Sequence, residues 1–290
     1  MKKLIICNVL IILFFLAGCS HKKEKNAIKV MTLNVRYDNP ADSINAWPNR
    51  ASQVCNFVIN EKPDILGMQE VLWHQYEVLD SVLTDYSSIG VGRDDGVKAG
   101  EMNPVFFKKE RFDLIRTITF WLSQTPDSAG SKGWGASLPR IVTWIELADK
   151  NTHDHFFYFN THFAHDSDSA RIMSSKILLK EAGKIAGDFP FIITGDFNME
   201  PSSTGYAILT GPDESVPLLN DSYNISQKIP LGPNGTFNGF SDELKSGRID
   251  YIFVRNGLKV LDHKTVIKKS RGVFISDHWP VEATVLLKGK

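Results

Sequence analysis

Five short polar groups interrupt an otherwise apolar chain: Asn34, Gln69-Glu70, Asn160-Thr161-His162, Gly195-Asp196-Phe197-Asn198 and Ser276-Asp277-His278. The first four stand at the ends of apolar, strand-like runs, and the fifth opens one. A carboxylate in such a place is costly if it is buried alone. Several such ends converging in one cleft remove that cost by sharing a divalent cation. Taken singly, an Asn or Asp after a strand is an ordinary turn residue. Five in one chain point to a shared site.

The elements that must carry these groups are legible as periodicities. Ile28 to Val35 and Asp64 to Gln69 read as buried strands. Between them, Pro48 at a first helical position and apolar Val54, Phe57 and Val58 mark a helix. Leu72, Tyr76, Leu79 and Leu83 mark a second helix, and a third is expected from about Ser169 to Ala186. Further strands are expected at Val105 to Phe107, Phe112 to Thr119, Ile141 to Leu147, Phe156 to Asn160 and Phe191 to Thr194. Tyr251 to Val254, Leu258 to Ile267 and Val281 to Leu287 complete the set. Gln124 to Pro139 and Gly232 to Gly247 are long loops, which in compact domains are often functional. With no repeat or linker after Ala27, residues 27–290 read as one α/β (α+β) domain, two packed sheets with helices outside.

Composition bounds the function. Of 290 residues, 42% are hydrophobic and 23% charged, the balance of a folded protein rather than a disordered one. Thirty-three basic and thirty-three acidic residues cancel, which argues against gripping nucleic acid by bulk charge. Lys2-Lys3, the apolar stretch Leu4 to Leu16 and Leu16-Ala17-Gly18-Cys19 form a secretory signal too short to span a membrane. The tetrapeptide resembles a bacterial lipobox, which implies cleavage after residue 18 and a lipid on Cys19. Residues 19–26 then form a polar tether, and the mature net charge is −2. The expected location is the cell envelope, lipid-anchored at the periplasmic face, the outer membrane or the cell surface. Cys55 alone remains as a thiol, at helical spacing with Val54, Phe57 and Val58, and is expected to be buried and inert.

Thr32-Leu33-Asn34-Val35-Arg36, Met68-Gln69-Glu70, Asn160-Thr161-His162-Phe163, Gly195-Asp196-Phe197-Asn198, Arg248-Ile249-Asp250-Tyr251-Ile252 and Ser276-Asp277-His278 occur in the order and spacing of a known superfamily. By these six blocks the chain, from Ile28 to Leu287, resembles the endonuclease/exonuclease/phosphatase superfamily, whose fold is that of deoxyribonuclease I. The connecting text, such as Gly92-Arg93-Asp94-Asp95-Gly96 and Phe120-Trp121-Leu122-Ser123, is most similar to exported bacterial members nearest the carbon-catabolite-repressor type of deadenylase. The resemblance implies a four-layered α/β sandwich of two mixed β-sheets flanked by helices. It implies Glu70 as principal metal ligand with Asn34 and Asp277. Hard oxygen donors of this kind suit Mg²⁺ or Mn²⁺ better than zinc. Asp196 would hold or deprotonate the attacking water, and Asn198 would donate to a phosphoryl oxygen. His278 would contact the phosphate with Asp250 fixing its tautomer. His162 would be a second phosphate donor or the acid for the leaving oxygen.

Two departures stand out. Many relatives of this branch carry Asp where this chain has Ala164, so one acidic partner near His162 is expected to be missing. Arg36 stands where some nucleases of the superfamily place a second acidic ligand, and a single metal is the simpler expectation. Arg93 and Arg140 are candidates for binding a substrate phosphate or sugar. Trp121 and Trp134 flank the first long loop; Trp121 is expected in the core. The function expected is a divalent-metal-dependent phosphoesterase acting by in-line attack of water. Its substrate is a phosphoester of nucleic acid (3′–5′ exonuclease-like), of a sugar or of a lipid headgroup, with no obligate protein partner. The competing reading is an envelope lipoprotein that kept the fold for binding and lost catalysis. The completeness of the set from Asn34 to His278 argues for the enzyme.

Overall fold

The computed structural model describes residues 26–211, 219–270 and 272–287. The expected signal peptide, Cys19 and most of the expected tether lie outside the described residues. Strand β1 (Ile28–Asn34) pairs in parallel with β2 (Ile65–Gln69), with Asn34 beside Gln69. Around them β3 (Tyr86–Ile89), β4 (Val105–Lys108), β11 (Lys259–Thr265) and β14 (Val281–Leu286) complete a six-stranded sheet, order β11-β14-β1-β2-β4-β3. The second sheet, order β5-β6-β7-β8-β10-β9, holds β5 (Phe112–Trp121), β6 (Ile141–Asp149), β7 (His155–His162), β8 (Phe191–Asp196), β9 (Asn220–Asp221) and β10 (Asp250–Arg255). A short hairpin, β12 (Lys269–Ser270) with β13 (Val273–Phe274), stands apart from both.

The central strands are apolar on both faces because both faces are covered. Ile28, Val30, Ile65, Val281, Ala283 and Val285 of the first sheet meet Ile145, Phe156, Ile192 and Ile252 of the second. On the far side of the first sheet, Met31, Leu33, Leu66 and Met68 pack on Val54, Phe57 and Val58 of helix α1 (Trp47–Glu61) and on Leu79 of α2 (Trp73–Val82). Gln75 starts α2 by taking the Leu72 N–H at 3.0 Å, which satisfies a donor the helix itself leaves free. Beyond the second sheet, Phe159, Phe191 and Phe253 pack on Leu178, Leu179 and Ala182 of α3 (Asp168–Ala186) and on Tyr206 and Leu209 of α4 (Thr204–Thr210). Ser167 caps α3 by accepting from Ala170 N at 3.1 Å. A one-turn helix α5 (Ser222–Ile225) follows β9. The result is the expected four-layered sandwich. Cys55 is buried, and Trp121 sits in the core with its indole N–H on Arg93 O at 2.7 Å. No helix among the described residues is long and apolar enough to cross a membrane.

The sheets are bolted together by polar groups near the strand ends. Asn160 on β7 donates across the gap to Met68 O (2.7 Å) and Pro104 O (3.0 Å) of the first sheet. Its carbonyl accepts from Gln69 Nε2 at 2.6 Å and from Thr194 Oγ1 at 3.1 Å. The approach is so close that a Cβ on Gly67 would lie 2.5 Å from Asn160 Oδ1, so only glycine fits there. We expect Asn160→Leu to destabilise the domain by roughly 3 kcal/mol or more, since two carbonyls and a buried amide lose their partners at once. Urea denaturation followed by circular dichroism measures this, and a loss within about 1 kcal/mol would remove Asn160 from this role.

Candidate active site

The registers deliver the polar groups to one end of the sandwich. In the second sheet His162 on β7 lies beside Asp196 on β8, and Asp196 faces Asp250 on β10. In the first sheet Asn34 lies beside Gln69, and the next residue is Glu70. The chain turns sharply at three of these strand ends, with φ of 59° at Arg36, 60° at Glu70 and 50° at Asn198. Such left-handed backbone is unfavourable outside glycine and asparagine and concentrates at sites where side chains must be aimed.

Asn34 joins the two sheets' carboxylates: its amide donates to Glu70 Oε1 at 2.9 Å and to Asp196 Oδ2 at 3.0 Å. Its carbonyl accepts the Arg36 N–H at 2.9 Å, so Asn34 is set as a strut between acids with its oxygen turned to the backbone. Ser276 ties the last motif to the same point, donating to Asn34 O at 2.5 Å and accepting His278 N at 3.1 Å. Beneath them Arg50 of α1 is fully buried and donates to the carbonyls of Asn45, Val35, Arg36 and Ile275. Burial pushes its guanidinium down to about 10, and the same arginine joins the end of β1 to the approach of Ser276. The Arg36 side chain pairs with Asp42 and reaches within 4 Å of both Glu70 and Asp277.

The two histidines are set in opposite states. His278 Nδ1 donates to Asp250 Oδ2 at 2.9 Å, and its Nε2 lies 3.7 Å from Asp196 Oδ2. Burial would lower its pKa, but Asp250 and Asp196 outweigh burial and hold it well above the ordinary value. Burial lowers His162 well below the ordinary value, and the neighbouring Arg140 and Arg93 add to this. The Asn198 amide nitrogen is identified by its bond to Phe163 O at 3.0 Å. The same nitrogen lies 2.9 Å from His162 Nε2, which must therefore accept, leaving the proton on Nδ1. In this state His162 has no cleft-side proton for a leaving group; the charged imidazole is His278.

Two expectations change here. A carboxylate does stand near His162 despite Ala164: Glu101, whose Oε2 lies 3.8 Å from His162 Nδ1 without bonding to it. Glu101 was not readable as a site residue, because it stands in a polar loop and interrupts no apolar run. Arg93 does not face substrate: it forms a bidentate pair with Glu101 at 2.7 and 2.9 Å and is buried. Arg140 does line the cleft and donates to His165 Nδ1 at 3.0 Å. Trp134 is partly exposed on the first long loop.

The cleft measures about 430 Å³. Glu70, Asp196 and Asp277 form its acidic floor, and Tyr37, Leu138 and Phe237 give it apolar walls. Burial and the adjacent Asp250 push the Asp196 carboxyl up to about 7, and burial raises Asp277 despite His278. Glu101 is raised by burial against Arg93. Buried acids crowded in this way resist ionisation, and a cation held among them would favour their charged forms. Oxygen-rich and thiol-free, the set fits a hard divalent cation, and Glu70, His162 and Asp196 are also close enough together for a shared ion.

The profile of the Endonuclease/Exonuclease/phosphatase family matches residues 31–278. The chain belongs to this family. It is 37% identical to the endonuclease/exonuclease/phosphatase of Bacteroides vulgatus, with a TM-score of 0.86 over 90% of this chain and 99% of the other. It is 33% identical to a mannosyl-6-phosphatase of Bacteroides thetaiotaomicron, with a TM-score of 0.83 over 90% and 100%. A protein of Acanthamoeba polyphaga mimivirus, L388, is 27% identical over 88% of this chain and 98% of its own length. As a member of the endonuclease/exonuclease/phosphatase family, the chain is a hydrolase of phosphoester bonds.

The opposed histidines give a direct check on this geometry. In metal-free buffer at neutral pH, His278 should carry two ring protons and His162 one, on Nδ1. Ring ¹⁵N–¹H correlation spectra, assigned with His→Gln variants, read both states. A neutral His278 or a charged His162 at about pH 7 would overturn the arrangement, and Asp250→Asn should lower the His278 transition.

Proposed function

We propose that the chain is a divalent-metal-dependent phosphoesterase acting on a phosphorylated sugar, held at the cell envelope by lipid on Cys19. The observation that carries this reading is the pairing of an acidic floor with a charged, Asp250-held His278 in a cleft of sugar-phosphate size. The tyrosine, leucine and phenylalanine walls suit the apolar face of a sugar ring. The neutral overall charge gives no support to a nucleic-acid grip. The 33% identity to a mannosyl-6-phosphatase supports the same choice.

Glu70 and Asp277 are the residues to hold Mg²⁺ or Mn²⁺, with Asn34 steering both Glu70 and Asp196. The bound cation supplies Lewis-acid polarisation of the phosphoryl oxygen. Asp196, poised near neutrality, takes a proton from the attacking water. His278, charged, donates from Nε2 to the phosphoryl oxygens as negative charge grows on them. Of the two Asn198 protons, one is fixed on Phe163 O; the other, now on His162, is the one that passes to a phosphoryl oxygen. Arg93 holds Glu101 beside His162, Arg140 and His165 line the same cleft, and the leaving oxygen takes its proton from solvent as the bond to phosphorus breaks.

A hydrolysis screen with Mg²⁺ and Mn²⁺ over hexose phosphates, p-nitrophenyl phosphate, bis-p-nitrophenyl phosphate, single-stranded DNA and RNA should give the highest kcat/KM on a sugar phosphate. Chelation should abolish turnover and Mn²⁺ restore it. Activity confined to nucleic acid would overturn the substrate assignment. Glu70→Ala should lower kcat by on the order of 10³-fold and weaken Mn²⁺ binding in calorimetry; unchanged affinity would move the metal elsewhere. Mass spectrometry of the mature protein should find lipid on Cys19, and Cys19→Ala should release the protein from membranes.

A further inference from the structure

The pair Asp250 and His278 is held by less than its importance would suggest. Asp250 is the first residue of β10, and its carboxylate has one bond, to His278; its other oxygen, Oδ1, is buried without a hydrogen-bond partner. The aim of that carboxylate is therefore set by the backbone behind it. That backbone does not hang on the sheet ladder alone. The hydroxyl of Thr236, a fully buried residue of the loop that runs from 232 to 247, accepts both Ile249 N at 3.0 Å and Asp250 N at 3.1 Å.

The same residue also reaches the other member of the pair. Thr236 O accepts Trp279 N at 2.6 Å, immediately after His278, and Thr236 N donates to Gly247 O at 3.2 Å. The next residue, Phe237, forms an isolated antiparallel bridge with His278 and places its ring 5.1 Å from the imidazole. Asn238 N and Gly239 N both donate to Asp277 O, at 2.8 and 3.0 Å. One short segment thus grips the backbone on both sides of the carboxylate–imidazole bond.

We propose that Thr236 is the positioning residue of the Asp250–His278 pair, its hydroxyl fixing Asp250 through two consecutive amides while its carbonyl fixes the segment that carries His278. A hydroxyl oxygen has two lone pairs, and both are used here. Valine is its isostere without an acceptor, and serine keeps the acceptor without the methyl group. This role rests on the reading of His278 and Asp250 as phosphoester-site groups, but its structural half can be read with no substrate present.

The test uses the full chain with Thr236→Val and Thr236→Ser, and Asp250→Asn as reference. Wild type should show an exchange-protected, downfield His278 Nδ1–H resonance in the proton spectrum, absent in Asp250→Asn. Thr236→Ser should retain it and Thr236→Val should lose or broaden it. With p-nitrophenyl phosphate and Mn²⁺, Thr236→Val should lose about 10- to 100-fold in kcat, and Thr236→Ser should stay within about 3-fold of wild type. Added to Asp250→Asn, Thr236→Val should cost nothing further, since the residue it positions is already lost. A Val form that does not fold is replaced by Thr236→Ala and judged by the same readings. An unchanged resonance with wild-type turnover, additive losses in the double variant, or a Ser form as damaged as the Val form would overturn the proposal. A wild-type enzyme inert on every phosphoester but with the resonance behaving as described would instead fail the functional reading and leave the positioning intact.

Discussion

The site exists only where two sheets agree on their relative position. Asn34 and Glu70 come from one sheet, His162, Asp196 and Asp250 from the other, and Asn34 touches carboxylates of both. Apolar packing between sheets is non-directional and tolerates sliding. Directional bonds do not. Asn160, with Gln69, Thr32 and Thr194, supplies them within one or two residues of the strand ends. A buried amide network of this sort is costly where its bonds are lost, so sliding one sheet past the other would break several of them at once; Gln69 Oε1 is the one atom of this group left without a partner. Gly67 belongs to the same constraint, because the sheets approach too closely there for a side chain.

Once the sheets are set, charge decides the rest. Crowded buried carboxylates repel one another and resist ionisation. Cations are placed to limit this: Arg93 takes both oxygens of Glu101, and Arg36 stands near Glu70 and Asp277 while anchored on Asp42. Arg50 differs, directing its donors to carbonyls and acting as a backbone staple. The two histidines share one cleft with opposite protonation because their neighbours differ. Asp250 bonds directly to His278, whereas neither carboxylate beside His162 bonds to it: Glu101, 3.8 Å from Nδ1, is taken by Arg93, and Asp196 lies 3.5 Å from Nε2. A charged His278 beside the acidic floor is a donor suited to growing negative charge.

What the sequence reveals follows the same physics. A polar residue ending an apolar strand contradicts its surroundings, and that contradiction is visible without a structure; Asn34, Glu70, His162, Asp196, Asp277 and His278 stand out this way, all but Asn34 line one cleft, and Asn34 bonds two of its carboxylates from below. The long strands and α1 to α3 are legible from periodicity. Strand β3, the two-residue strands and the short helices α4 and α5 are not, since one or two turns of pattern cannot be told from loop. Glu101, Thr236 and Arg50 contradict nothing locally. Their meaning lies in partners 61, 14 and 225 residues away, at His162, Asp250 and Ile275. Arg93 misleads for the same reason: an arginine's sequence neighbours do not say whether a carboxylate will occupy its fork.

The division of labour between strands and loops explains how one framework can serve different phosphoesters. Chemistry is carried by residues at strand ends, where the ladder and the inter-sheet bolt fix them. The walls that meet the rest of a substrate come from elsewhere: Tyr37 follows β1, Leu138 ends the loop between β5 and β6, and Phe237 lies in the loop before β10. Loops accept change at smaller cost in stability than strands do. The loop before β10 is the exception, because Thr236 ties it to Asp250 and to Trp279. A change of wall at Phe237 is therefore coupled to the histidine pair, while Leu138 is not held in that way. Variation of substrate at constant chemistry is thus easiest on the Leu138 side of the cleft, beside Arg140 and His165, and hardest on the side that the Thr236 hydroxyl keeps in register.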